Sequence, residues 1–206
     1  SADIAGPIQG STDFKYVLVF VDHASRANFV SLLSNKQAET VSDAFSDLIK
    51  SIFRHFRVEV RRVHTDQGSE FMSQPWTAAC DRHNVVHTTA NIRRAHQNGK
   101  AERTIQSILG IARALYHHAV TMLTPRQRSE FNPSTHRASA IKAATYLANR
   151  LPSARLQGRT PFEMIYHRKP DLAHLRVWGC PVISHIDSVK RAGKFAARGR
   201  RGYFVG

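Results

Sequence analysis

Apolar and polar positions alternate along residues 15–33 and then recur at helical spacing along residues 37–56. The first stretch, KYVLVFVDHASRANFVSLL, predicts two strands joined by a short polar turn. In the second stretch the apolar residues fall on one face of a helix: Val41, Ala44, Phe45, Leu48, Ile49, Ile52, Phe53 and Phe56. The pattern therefore predicts a β-hairpin followed by a long amphipathic helix.

The rest of the chain continues to mix the two periodicities. Strands are predicted over residues 58–65 and 85–90, and helices over residues 73–84, 100–118 and 135–150. The segment TPFE predicts a capping box that begins with Thr160. After Pro170 the pattern predicts short strands in LRVWG and PVISHI, followed by a tail rich in Gly, Lys and Arg. This order indicates an α/β fold with a mixed central sheet flanked by helices.

The charge of the chain narrows the class of partner. Its 206 residues suffice for one substantial core, or for a main domain with a small satellite. Lys and Arg number 30 against 15 Asp and Glu, which gives a net charge of +15. Because this excess is larger than solubility requires, it predicts a polyanionic partner, and nucleic acid in particular.

Cysteine use and hydropathy exclude several other classes. Cys80 and Cys180 form no CxxC pair, which argues against a disulfide scaffold and a thiolate zinc site and favours a reducing compartment. No apolar run reaches the length of a membrane span, so no membrane association is expected. The chain is expected to be a fragment of a longer protein, truncated at both ends.

Three acidic residues stand in segments that suggest chemistry. They are Asp3 in ADIAGP, Asp66 in VHTDQGSEF and Glu102 in AHQNGKAER, and residues 67–101 between the last two number 35. Three carboxylates can hold two Mg²⁺ ions (or Mn²⁺) for phosphodiester chemistry. The spacing alone does not decide the matter, since Asp66 also suits a polar turn and Glu102 an exposed first helical turn.

The surrounding motifs carry a resemblance to a known family. HTDQGSEF together with QNGKAER resembles the catalytic core of retrotransposon integrases, the D,D-35-E group. The segments DIAGP, KYVLVFVDHASR, GRTPFEMIYHRKPDLAHLRVWGCPV and GYFVG resemble the copia (Ty1-like) branch. The usual stretch after the glutamate is altered here, with Ile105 and Gln106 where that family has Asn and Arg.

The resemblance implies an RNase H-like fold and a set of site residues. The catalytic and metal-binding residues would be Asp3 on the first strand, Asp66 after the fourth strand and Glu102 on a helix. Asp22 competes with Asp3 for the first place, although it is also suited to brace a turn with Ser25. Residues 1–168 would form the catalytic core, and residues 169–206 the start of a small β-rich, SH3-like module that is truncated.

Basic groups in two regions are candidates for contact with nucleic acid. The first set surrounds the loop before Glu102 and comprises Arg93, Arg94, His96, Gln97, Asn98, Lys100 and Arg103. The second set lies near the end and comprises Lys190, Arg191, Lys194, Arg198, Arg200 and Arg201. Such contacts to phosphates position DNA without reading its sequence. A plain solvated surface remains the alternative for both sets.

The sequence as a whole leads to one functional expectation and two rivals. We expect a metal-dependent polynucleotidyl transferase that performs 3′-end processing and strand transfer of retrotransposon DNA. DNA ends and target DNA would be its partners, with homo-oligomers on DNA, in the nucleus and in cytoplasmic particles. The rivals are an RNase H-type nuclease that only hydrolyses and a catalytically inactive, domesticated nucleic-acid-binding remnant.

Overall fold

Two groups of strands make up the centre of the molecule. The computed structural model describes residues 1–11, 13–90, 99–131, 133–187, 189 and 197–206. An antiparallel sheet has the order β1 (Ala2–Ala5), β2 (Tyr16–Val21) and β3 (Asn28–Leu33). A parallel pair consists of β4 (Arg62–Thr65) and β5 (Val86–Thr89). Strand β4 lies beside β1, so the two groups meet there.

Six α-helices surround these strands in the described part of the chain. They are α1 (Ala38–Phe56), α2 (Gln74–Arg82), α3 (Gly99–Met122), α4 (Pro125–Glu130), α5 (Arg137–Ala148) and α6 (Pro161–Tyr166). The capping box at Thr160 is confirmed, because its hydroxyl accepts the N–H of Glu163 while the Glu163 carboxylate accepts the N–H of Thr160. None of the helices in the described ranges has the length and apolar character to cross a membrane.

Strand β2 is buried on both faces and separates two layers of core. Its odd-numbered residues Val17, Val19 and Val21 pack towards α3 and α5. Its even-numbered residues Leu18 and Phe20 pack towards α1 and α2. Because side chains alternate across a strand, one continuous apolar run serves both cores. The mixed sheet with helices on both faces is the α/β arrangement that the sequence predicted.

Three local features of the structure differ from what the sequence predicted. The strand predicted from residue 58 begins at Arg62, because its partner β5 begins opposite that residue, at Val86. The segment LRVWG forms no strand; Gly179 instead adopts a φ of +80° and comes so close to Ala119 that a Cβ would lie 2.5 Å from it. Helix α4 was not predicted, although Thr124 and Gln127 form a capping box there.

The C-terminal segment packs against α3 and α4. Strands β6 (Pro181–His185) and β7 (Gly199–Tyr203) form an antiparallel pair. Just before them, Trp178 is buried with its ring 5.8 Å from that of Phe131, and its indole N–H donates to the carbonyl of Val205 at 3.2 Å. In the described residues this segment is one hairpin, and an SH3-like module is not confirmed. The domain division at residue 168 stays a prediction.

The burial of Trp178 gives a test of how firmly the hairpin is held. Trp178→Ala should lower the free energy of unfolding by roughly 3–5 kcal/mol, because it removes a large buried ring from a packed site. Urea unfolding followed by circular dichroism measures this change. The neighbouring substitution Val177→Ala is the control, since Val177 is 49% exposed and should cost within about 0.5 kcal/mol. Equal stabilities of the two variants would contradict the packing.

Candidate active site

Asp3 lies on β1, the end strand of the antiparallel sheet, which lies beside β4. It pairs with Val19 of β2, and its neighbours Ala2 and Ile4 face the core beneath α1 and α2. Alternation therefore directs the Asp3 side chain to the opposite face, where α3 packs. The backbone N–H of Ile4 donates to Asp3 Oδ1 at 2.8 Å.

Asp66 directly follows β4, as the strand pattern predicted. The buried residue Thr65 fixes this strand end, because its hydroxyl donates to the Asp66 carbonyl at 2.7 Å and lies 2.8 Å from His87 Nε2 of β5. The Asp66 carboxylate is exposed and accepts the N–H of Gly68 at 3.1 Å. Its backbone is thus fixed while its side chain faces solvent.

Glu102 stands in the first turn of α3. The adjacent residues Ala101 and Ile105 are buried in the packed stripe of that helix, while Glu102 is exposed. The positive end of the helix dipole favours a carboxylate at this position. Ile105 therefore occupies a core position, which accounts for an apolar residue where the resemblance led us to expect Asn.

The three carboxylates act on one another electrostatically. Burial raises the pKa of Asp3 from 3.8 to about 6, and the negative charges of Asp66 and Glu102 act in the same direction. The hydrogen bond from Ile4 and the positive charge of Lys36 oppose this shift. The carboxyls are therefore neighbours with too little positive charge between them.

This donor set fits a hard divalent cation. Mg²⁺ and Mn²⁺ prefer carboxylate oxygens, and a bound cation would stabilise the ionised form of Asp3, which burial and, to a smaller extent, the charges of Asp66 and Glu102 disfavour. Within the described residues, no three His, Cys, Asp or Glu side chains are drawn together tightly enough to ligate an ion. The fit therefore rests on the oxygen-donor chemistry of the carboxylates and not on a preformed cluster of ligands.

Two further residues at this site, Lys36 and Glu70, were not singled out by the sequence analysis. Lys36 Nζ lies 3.5 Å from Glu70 Oε1 and is the cation that acts on Asp3. A Cβ built on Gly68 would lie 3.0 Å from Glu70 Oε2 and 3.2 Å from Asp66 Oδ1, so glycine permits these carboxylates to approach. Glu70 in DQGSEF was visible as an acid, whereas nothing in the sequence marked Lys36.

Asp22 is committed to a turn. Its Oδ2 accepts both the backbone N–H and the hydroxyl of Ser25, each at 2.7 Å. Burial opposes ionisation of Asp22, but these hydrogen bonds outweigh it and lower its pKa. In the register of β1 and β2, Asp22 lies beyond Val21, which pairs across from Ser1, whereas Asp3 lies opposite Val19. This is the turn-bracing role that the sequence analysis considered for it.

The predicted nucleic-acid contacts are distributed unevenly. Lys100 and Arg103 flank Glu102 on α3, and Lys100 Nζ lies 3.2 Å from His23 Nδ1. Arg93, Arg94, His96, Gln97, Asn98, Lys190, Arg191 and Lys194 lie outside the described residues. Arg198, Arg200 and Arg201 belong to the β7 region, where Arg201 lines a pocket with Thr124 and Glu130 beyond the end of α3. Gly179, just before β6, meets α3 at Ala119. That point is about 25 Å along the helix from Glu102, so the structure does not bring these arginines to the carboxylates.

Comparison with known proteins shows the fold and gives a family match over the first part of the chain. The catalytic core domain of BIV integrase has the same fold: the TM-score is 0.57 at 17% identity, with 81% of this chain and 91% of that one covered. The molecule is therefore an RNase H-like domain with acidic residues on β1, after β4 and on α3. Residues 1–95 match the integrase core domain family.

Two polyproteins extend the likeness over most of the chain. The retrovirus-related Pol polyprotein from transposon RE2 of Arabidopsis thaliana is 28% identical over 85% of this chain. That from transposon TNT 1-94 of Nicotiana tabacum is 27% identical over 92% of it. The chain spans only 11% and 14% of these relatives, respectively. These matches agree with the resemblance: residues 1–95 match the integrase core domain, and most of the chain is similar to part of these transposon polyproteins.

The raised pKa of Asp3 gives a pH dependence of stability. The folded protein holds this proton more tightly than the unfolded chain does, so without divalent ions Asp3 should make unfolding easier as pH rises from about 4 to about 6. The depressed pKa of His23, due first to its burial, works in the opposite direction. Urea titrations of the wild type and Asp3→Asn across this range isolate the Asp3 contribution as their difference. A difference that does not vary with pH would contradict it.

Proposed function

We propose that this chain is the catalytic core of a DNA integrase that trims the 3′ ends of retrotransposon DNA and joins them to target DNA. The observation that supports the proposal is that the charges of Asp66 and Glu102 act on Asp3, in a chain whose residues 1–95 match an integrase core domain. The three acids come from separate elements, and β1, which carries Asp3, contacts both β4 and α3.

Two Mg²⁺ ions, or Mn²⁺, are the cofactors that we assign to these carboxylates. When bound, they supply neutralisation of the phosphate charge and stabilise the attacking and leaving oxygens. Asp3, Asp66 and Glu102 would hold them. Glu70 stands next to this set, where its contact with Lys36 keeps it from adding its full negative charge.

The protein's own contribution is position. Asp3 sits in a paired strand and Asp66 on a backbone fixed by Thr65, so both acids are held before substrate arrives. Glu102 is set by a helix whose next residues are packed in the core. Such preorganisation lowers the cost of aligning a phosphodiester with an attacking water or 3′-hydroxyl.

The partners and place of action follow from this reaction. DNA supplies both the ends that are joined and the target that receives them. The excess of basic residues suits contact with its phosphates. We also propose assembly as a homo-oligomer on DNA, because two element ends must reach one target. Target DNA lies in the nucleus, which we propose as the site of action, with cytoplasmic particles as an earlier location.

Carboxamide substitutions test the three assignments on the full chain. Asp3→Asn, Asp66→Asn and Glu102→Gln should each reduce strand transfer with Mg²⁺ or Mn²⁺ by at least about 100-fold, because each removes a charge from the reacting centre. The assay uses a labelled duplex and separates 3′-processed ends from joined products on a gel. Asp43→Asn on the exposed face of α1 is the matched control.

The same assay separates the rival functions. Cleavage without joining would favour an RNase H-type nuclease, and DNA binding without either reaction would favour the inactive remnant. Loss of activity in Asp22→Asn together with full activity in Asp3→Asn would transfer the first ligand position to Asp22.

A further inference from the structure

A second charged feature lies on the other flank of α3. It is a cleft of about 520 Å³ between the β2–β3 turn, the first three turns of α3 and the segment that runs from the end of α5 to α6. Its charged lining residues come from all three elements and are Arg26, Lys100, Arg103 and Arg155. We call it the basic cleft.

The cations of the basic cleft lack acidic partners. No Asp or Glu lines the cleft, and none of the four cations forms an ion pair within the described residues. Because four positive side chains line one cleft without an ion pair, an anion bound among them would be stabilised by their charges. The remaining lining offers hydroxyls, among them Ser107 and Ser153, above an apolar floor that includes Ile108 and Ile111.

The walls of the cleft are fixed by hydrogen bonds. The Asn149 side chain bonds both backbone groups of Asn28, accepting its N–H and donating to its carbonyl at 2.8 Å each. The carbonyl of Asn149 also accepts the N–H of Phe162 at 2.9 Å. One residue thus joins the start of β3, the end of α5 and the first turn of α6.

Arg26 and Arg155 are presented by closed turns. The N–H of Arg26 donates to the carbonyl of Asp22 at 3.0 Å, in the turn that Asp22 and Ser25 brace. On the opposite wall, the Ser153 carbonyl accepts the N–H groups of Leu156 and Gly158 at 2.9 and 3.0 Å. The buried Leu156 side chain anchors this turn next to Arg155. Both arginines therefore extend from rigid backbone.

The basic cleft does not share the position of the carboxylates. Lys100, Thr104, Ser107 and Ile111 follow one stripe of α3 and line the cleft. Glu102 lies two residues beyond Lys100, about 200° further around the helix axis. The buried stripe of α3 fills the space between, so a phosphate at the carboxylates cannot lie in the cleft at the same time.

We propose that the basic cleft binds the sugar–phosphate backbone of a DNA segment distinct from the segment that the three carboxylates engage. This inference rests on the proposed function. Phosphates would contact the arginines and Lys100, and the sugars would lie against the apolar floor. Such contacts fix the orientation of DNA without reading its bases. The core would then hold two DNA segments, one on each flank of α3.

The salt dependence of DNA binding tests the cleft on the full chain. Fluorescence anisotropy with a labelled DNA duplex, without divalent ions, gives the slope of log K against log salt. In Arg26→Gln/Arg155→Gln this slope should become shallower by roughly 1.8, because two phosphate contacts are lost. Between 50 and 200 mM salt, binding should then weaken roughly tenfold less than in the wild type.

The control is Arg54→Gln/Arg82→Gln, which removes the same charge from exposed positions on α1 and α2 and should leave the slope nearly unchanged. Thermal melting establishes that both double variants are folded. An unchanged slope in Arg26→Gln/Arg155→Gln overturns the proposal. Weaker binding of a poly-glutamate peptide to this double variant, with an unchanged slope for DNA, also overturns the proposal, because the cleft would then bind an acidic protein segment.

A covalent test does not depend on affinity. Ser107→Cys should capture DNA that carries an alkyl disulfide tethered to a backbone phosphate, by thiol–disulfide exchange that releases the alkyl thiol, whereas Thr77→Cys on the exposed face of α2 should not. Equal capture by both variants contradicts the assignment. Strand-transfer assays on the same proteins keep the two proposals apart. If the wild type is inactive but the double variant shows the expected change in slope, only the proposed reaction is contradicted. If the wild type is active but the double variant shows no change in slope, only the proposed role of the basic cleft is contradicted.

Discussion

The burial of Asp3 beside two other carboxylates is the constraint on which the candidate site depends. Asp3 cannot move away from Asp66 and Glu102, because its strand is paired with β2 and lies beside β4. Packing of β2 on both faces supplies the rigidity that holds these like charges together. In a chain with a net charge of +15, these three residues form a small acidic patch. This contrast suits a site that must attract cations and tolerate phosphate.

Helix α3 connects the acidic patch to the rest of the molecule. One flank carries Glu102, the middle stripe packs into the core, and the other flank lines the basic cleft. Its far end supports the C-terminal hairpin through the contact between Ala119 and Gly179. A single straight element thus sets the relative placement of acid, core and basic surface. Changes within its buried stripe would disturb all three, whereas changes on either flank would act separately.

Predictions from the sequence were correct where the hydrophobic periodicity was strong. They failed where contacts between distant segments of the chain determine the structure. The apolar run of β2 and the apolar face of α1 were visible directly, and motif resemblance named the three acids as candidates. The shortened β4 was not foreseeable, since its start depends on where β5 begins. Lys36 was not foreseeable either, because its role depends on its distance to Glu70 in space. The basic cleft joins residues such as Arg26 and Arg155 that no local pattern connects.

The pair formed by Asn28 and Asn149 has a consequence for the order of folding. These residues are separated by 121 positions, so their contact closes one of the long loops of the chain. The entropy cost of such closure is recovered only after the intervening strands and helices have packed. The contact therefore belongs to a late stage of folding, and the walls of the basic cleft are assembled with it. A nascent chain would form the sheet that carries Asp3 early and the walls of the basic cleft last.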